Sequence, residues 1–201
     1  GCNAERCLMI PGYAATSSPA GTAAIALPTA DGEAAANIIV SVHSYDPQPF
    51  CLQDTQTTSD PETFGAKINR VFENIKETLL DRGIPVVMGE TGATNTNGNH
   101  DERAKWAYCV AQNAQRYGVP IVIWDNGNNQ TSGGECHAWI RRAVNPKLRS
   151  QATSVVYPQV LDALREGKNS AAWGSALTEV RAEADESIIW ANADGLRSQK
   201  E

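Results

Sequence analysis

Two junctions of the same form limit what this chain can build: Gly83-Ile84-Pro85-Val86-Val87 and Gly118-Val119-Pro120-Ile121-Val122. In each, a glycine follows an amphipathic segment and a proline enters an apolar run on its first residues. Glycine just past a helix supplies the left-handed turn that ends it, and proline lacks a ladder donor, so it is confined to the start or edge of a strand. A helix handing over to a strand twice in this way points to alternating βα units and a parallel sheet.

Four short apolar runs fit that reading. They are Cys7-Leu8-Met9-Ile10, Ile38-Ile39-Val40-Ser41-Val42, Pro85-Val86-Val87-Met88 and Ile121-Val122-Ile123. Each is too short for a helix and most are rich in β-branched residues, which predicts strands; continuous apolarity predicts burial on both faces. Between them, residues 64 to 81 place Phe64, Ile68, Val71, Phe72, Ile75, Leu79 and Leu80 at helical spacing, with Asp60-Pro61 as the start and Gly83 as the stop. Residues 101 to 117 repeat the pattern through Trp106, Cys109, Val110 and Ala114. A further helix is expected from Val155 to Glu166, a short one within Ala20 to Pro28, and an amphipathic segment through Trp173, Leu177, Val180, Ala184 and Ile188.

The order βαβαβαβα admits an open doubly wound sheet or a TIM barrel. No G-x-G-x-x-G follows the first strand and no P-loop occurs, so nucleotide-binding readings are weak. Each run instead ends in residues able to hold a polar ligand: Tyr13, His43 with Tyr45, Glu90, and Trp124. Catalytic residues of barrels sit at the C-terminal strand ends, so the pattern favours a barrel. A closed barrel uses about 250 residues and eight such units. The four units here supply half, which predicts a partial barrel over 1–167 and a helical or partly disordered tail over 168–201. Such a sheet exposes open edges through which the chain could self-associate.

Composition narrows the partners. With 201 residues, 41% hydrophobic, the chain can bury a core, and a net charge of −6 argues against nucleic acid as a partner. No run approaches the roughly 20 apolar residues of a membrane span. The chain opens on Gly1-Cys2-Asn3-Ala4-Glu5-Arg6, which does not read as a signal peptide. Five cysteines without a C-x-x-C pair are expected to be buried thiols with one or two disulfides, and the three histidines lack zinc-helix spacing. Neither a metal nor an organic cofactor is expected.

The rim residues suggest sugar chemistry. Glu90 follows its strand between Gly89 and Thr91-Gly92. His43 and Tyr45, two residues apart, share a face and offer polar tips for a carboxylate or a sugar hydroxyl. Trp124 offers a flat apolar surface for a pyranose ring, with Asp125 and Asn126 as polar neighbours.

Taken together, these segments resemble glycoside hydrolase family 5. His43-Ser44-Tyr45-Asp46-Pro47 with Phe50 is similar to the family's sixth-strand segment, and Pro85 to Gly92 to the seventh-strand segment that carries the nucleophile. Ile123-Trp124-Asp125-Asn126-Gly127 is similar to the eighth-strand segment, and Arg6 to Ala14 to the fifth. The resemblance covers roughly residues 1 to 166. It implies strands 5–8 of the barrel and an extracellular, retaining endo-β-1,4-glucanase acting on β-glucan. Glu90 would be the nucleophile, His43 and Tyr45 its positioning partners, and Trp124 the floor of a subsite lined also by Asp125, Asn126 and Tyr13. Thr91 departs from the pattern, since an aromatic residue is usual there. The larger departure is that no Asn-Glu pair, the family's acid/base signature, occurs in the sequence. Retaining hydrolysis uses two carboxyl groups about 5–5.5 Å apart. Truncation of a longer gene is therefore expected, with a catalytically incomplete carbohydrate-binding or structural remnant as the alternative. Asp46, Asp125 and Glu135 are weak substitutes for the missing acid. A cysteine hydrolase built on Cys51 or Cys109 has no motif context.

Overall fold

The computed structural model describes residues 6–30, 32–35, 37–53, 64–95, 98–128, 130, 131, 135–141, 154, 155 and 157–170. Along the chain run β1 (Leu8–Thr16), α1 (Pro19–Ala23), the short strands β2 (Thr29–Ala30) and β3 (Glu33–Ala34), then β4 (Ile38–His43) and α2 (Gln48–Cys51). They are followed by α3 (Ala66–Thr78), β5 (Val86–Thr91), α4 (His100–Tyr117), β6 (Ile121–Ile123), β7 (Ile140–Arg141), β8 (Ser154–Val155) and α5 (Pro158–Ser170). Four strands form one sheet in the order β1-β4-β5-β6, every neighbouring pair parallel. Two small antiparallel pairs, β2 with β3 and β7 with β8, stand apart from it. All four parallel strands deliver their C-terminal ends to one side, which is what gathers the site.

The core lies between the inner strands and the helices. Val40, Val42, Val86 and Met88 of the sheet meet Phe64, Ile68, Phe72, Ile75 and Leu79 from the α3 segment and Trp106, Ala107 and Val110 from α4, all buried. Each large side chain taken out of water contributes about 1.5–3 kcal/mol before the entropy of ordering it is counted. The i, i+3, i+4 spacing of α3 thus does in three dimensions what it implies in one. Both expected helix stops are real: Gly83 (φ +73°) and Gly118 (φ +67°) take the left-handed conformation. Gly167 of α5 lies so close to the Tyr108 carbonyl of α4 that a methyl group there would collide with it, so α4 and α5 pack backbone to backbone.

Several boundaries differ from the sequence reading. The residues 64–81 helix runs only to Thr78 and ends in a 3₁₀ turn over Leu80–Arg82; its expected start at Asp60-Pro61 lies outside the described residues. Helix α4 begins one residue before Asp101, with Asn99 at the cap position. The helix expected from Val155 starts at Pro158, because Val155 pairs with Ile140 in β8. The short helix in Ala20 to Pro28 is α1, which ends at Ala23; Ser18 caps it by accepting the Gly21 amide. Burial on both faces describes β4 and not the outer strands. Leu8 and Met9 of β1 are 54% and 56% exposed and Val122 of β6 is 52% exposed, since each of these strands has one sheet neighbour among the described residues. The segment from 171 to 201, and with it most of the predicted tail, lies outside the described residues. Cys7 is exposed, and Cys51, Cys109 and Cys136 are buried thiols, so the disulfides expected from the cysteine count are not formed among these four.

Candidate active site

The site begins with an irregularity between β4 and β5. Val42 pairs with Met88 and the next residue, His43, pairs with Glu90, so Gly89 is an extra residue on β5. A bulge of this kind re-aims the side chains beside it. A side chain here would be crowded: a Cβ at position 89 would run into the Ser41 hydroxyl, forcing it to turn away, and would sit 3.4 Å from His43 Nε2. Gly89 thus lets the His43 ring lie against β5 while Glu90 turns toward it.

The Glu90 carboxylate is held on one oxygen. Tyr45 Oη donates to Oε2 at 2.8 Å, and His43 Nδ1 lies 3.4 Å from the same atom. Among the described residues, Oε1 has no hydrogen bond. The His43 and Glu90 side chains are about one-third exposed, 34% and 33%, so the carboxylate is anchored yet reachable. Burial, followed by the hydrogen bond to Glu90 and the charge on Glu90, pushes the Tyr45 phenol well above its ordinary range. Tyr45 therefore stays protonated as a donor across neutral pH. The backbone ties the same groups together: the Ser44 amide donates to the Glu90 carbonyl, and the Trp124 amide to the Thr91 carbonyl.

Trp124 follows β6 on the same side of the sheet and is 40% exposed, an aromatic face offered to solvent. Its loop is self-organised. Asp125 accepts the Gly127 amide at 2.7 Å through Oδ1 and the Trp139 amide at 3.2 Å through Oδ2. Asn126 Oδ1 accepts the amides of Asn128 and His137, and its Nδ2 donates to the Glu135 carbonyl. Trp139 Nε1 donates to the Trp124 carbonyl at 2.9 Å. Of the predicted site residues, His43, Tyr45 and Glu90 are brought into direct contact, and Trp124 is joined to β5 one residue further on. Asp125 and Asn126 spend their polar atoms on the loop. Tyr13 stands 90% exposed on a bulged stretch of β1, beside Ala14 and Ala15 in left-handed conformations, and outside the Glu90 contacts.

Sequence reasoning assigned no role to His137. It is buried, meets Tyr45 edge to face at 5.9 Å between ring centroids, and packs against Gly92, which also abuts Trp124. A histidine in an irregular segment carries no periodic signal, so only the fold reveals that it backs Tyr45. Cys51 is buried and its thiol is pushed well up, chiefly by burial, which removes it as a nucleophile at neutral pH. Among the described residues no cluster of His, Cys, Asp or Glu could hold a metal ion, and no helix is long and apolar enough to cross a membrane.

Comparison with known proteins adds a family context. The family model described as Cellulase (glycosyl hydrolase family 5) matches residues 1–130. Endoglucanase B of Neocallimastix patriciarum is 36% identical over 167 residues, covering 83% of this chain and 32% of the relative. Endoglucanase B of Ruminococcus albus is 40% identical over 137 residues, 66% of this chain and 32% of the relative. Among solved structures, a GH5-4 broad specificity endoglucanase from Ruminococcus champanellensis with bound cellotriose superposes with a TM-score of 0.69 at 31% identity, covering 82% of this chain and 44% of that one. The chain thus spans about a third of the length of these curated relatives.

Proposed function

The chain belongs to glycosyl hydrolase family 5, the cellulase family, whose fold is a TIM barrel, and on that premise we propose that it carries the nucleophilic half of a retaining endo-β-1,4-glucanase site. Strands β1, β4, β5 and β6 are assigned to positions five to eight of the barrel, with 168–201 as a tail. The observation that carries this reading is the Glu90 carboxylate held by Tyr45 and His43 at the C-terminal end of a parallel sheet.

The division of labour follows from the geometry. With Oε2 anchored, Oε1 attacks the anomeric carbon of a sugar stacked on Trp124, forming a glycosyl-enzyme ester that water then hydrolyses. The Tyr45 hydrogen bond fixes the carboxylate's orientation. Asp125 and Asn126 act by holding the loop that presents Trp124, and Tyr13 extends the rim toward more distant sugar units. The leaving oxygen must be protonated by a second carboxyl group, worth about 10²–10⁴-fold. That group is assigned to a part of the parent enzyme outside the four βα units seen here. The substrate class is β-linked glucan, acted on outside the cell.

The test is release of the phenol from an aryl β-cellobioside with a strongly acidic leaving group, which needs no general acid, by the chain and by its Glu90→Gln variant. Turnover that disappears in the variant supports the hydrolase. Binding of cello-oligosaccharide without turnover in either protein supports instead a carbohydrate-binding remnant.

A further inference from the structure

A second polar cluster lies in the interior at the N-terminal turn of α4. Arg103 is 0% exposed, and among the described residues its Nε, Nη1 and Nη2 atoms have no hydrogen-bond partner. Its Cζ lies 4.7 Å from the Trp139 ring centroid and 5.8 Å from that of Tyr157. Those ring faces attract the cation but accept nothing from its N–H edge. Near the start of α4, the Arg103 side chain is directed back toward the helix N-terminus. There its charge, after burial, helps to lower the His100 pKa. His100 stacks on Tyr157 with centroids 3.5 Å apart, and its Nδ1 is buried and unbonded. Asn99, at the cap position, makes no side-chain capping bond, and among the described residues both its buried Oδ1 and Nδ2 are unbonded. Buried polar groups in folded proteins are almost always paired, and a lone buried cation is the costliest exception. Asp125 attracts Arg103 only from a distance, its oxygens being engaged by the Gly127 and Trp139 amides. Burial brings the Arg103 pKa down to about 10, so the group stays charged at neutral pH.

We propose that Arg103, Asn99 and His100 form a closed site for one small monovalent anion of halide size. One buried cation without a hydrogen-bonded acceptor among the described residues sets the charge, and its complete burial sets the size. The guanidinium edge, Asn99 Nδ2 and His100 as the Nδ1–H tautomer supply donors, and the first-turn amides of α4 add a favourable potential. Asn95 reaches the same neighbourhood through Tyr157, to whose hydroxyl its Nδ2 donates at 2.6 Å, and among the described residues its Oδ1 is an unbonded acceptor. This site is independent of the glycosidase reading, although Trp139 links it to the Trp124 loop.

Two measurements on the intact chain decide it. Crystals soaked in sodium bromide are expected to show an anomalous peak within hydrogen-bonding reach of Arg103; a map without one overturns the proposal. In solution, replacing gluconate by chloride at constant ionic strength is expected to raise Tm by about 2–4 °C, saturably. Arg103→Met is expected to lose that response. An equal Tm in both salts, or an equal response in the variant, overturns the proposal. Should Arg103→Met not fold, Arg103→Lys serves: its chloride midpoint is expected to rise at least about tenfold, and an unchanged midpoint counts against the site.

Discussion

The rim around Glu90 and the interior cluster around Arg103 handle the same problem in opposite ways. At the rim, a carboxylate from β5, an imidazole from β4 and a phenol from the loop after it satisfy one another, and one carboxylate oxygen is left over. At α4, the guanidinium of Arg103, the amide of Asn99 and Nδ1 of His100, all from one helix turn, are buried and unbonded among the described residues. Both clusters touch the Trp124 loop, the rim through Gly92 and the interior through Trp139. The difference is instructive. Side chains that already pair among themselves leave one defined oxygen open, whereas like-acting donors gathered in the interior create demand for an acceptor from elsewhere.

The sharpest way to break the comparison is Glu90→Gln. It keeps the shape of the rim and removes the proposed nucleophilic oxygen, so cleavage of an aryl β-cellobioside whose leaving group needs no general acid is expected to vanish while the melting temperature stays nearly unchanged. An equally active variant would mean that the rim is not the reacting centre. Next in size is Trp106→Ala. Trp106 is fully buried, contacts the Trp139 ring, and donates from Nε1 to the Asp46 carbonyl in the loop after β4, so it joins the two regions. A loss of about 3–5 kcal/mol in denaturant unfolding is expected. Tyr45→Phe removes one hydrogen bond to a charged group, worth about 1.5–3 kcal/mol, and is expected to lower kcat/KM about 10- to 150-fold with little effect on folding. Gly167→Ala presses a methyl group into the Tyr108 carbonyl and forces α4 from α5, at about 1–3 kcal/mol, leaving the rim chemistry intact.

The smallest effect is a titration. In the folded chain Tyr45 holds its proton to higher pH than an ordinary phenol, mainly through burial. Its contribution to stability is therefore full below the unfolded tyrosine range near about 10 and is lost as the pH rises toward the folded value. Phenolate absorbance should show Tyr45 ionising in a late phase. Tyr45→Phe should delete the late phase, and Glu90→Gln should move it down part of the way, because burial remains.

How much of this could be read from the residues depends on which forces placed them. The inner strands and the glycine-ended helices were legible, because apolar runs and C-terminal glycines encode their own local structure. The convergence of His43, Tyr45 and Glu90 was legible in outline from parallel strands ending in polar residues. The means was not: an extra glycine in β5 looks like any other residue until its neighbour's register is known. His137 and the pairs β2/β3 and β7/β8 belong to segments without periodicity. Arg103 was hidden for a different reason. A charged residue in a helix reads as a solvated one, and only the packing of Trp139 and Tyr157 over it takes it out of water.

The claim on which the account turns is that Glu90 is a nucleophile in its own right, whatever supplies the proton. A 2-deoxy-2-fluoro-β-cellobioside with a strongly acidic leaving group needs no general acid to depart, so it interrogates this carboxylate alone. Incubation with the chain, followed by proteolysis and mass spectrometry, should place a fluorocellobiosyl ester on the peptide containing Glu90. A folded chain that gains no adduct, or gains it on another residue, would contradict the account.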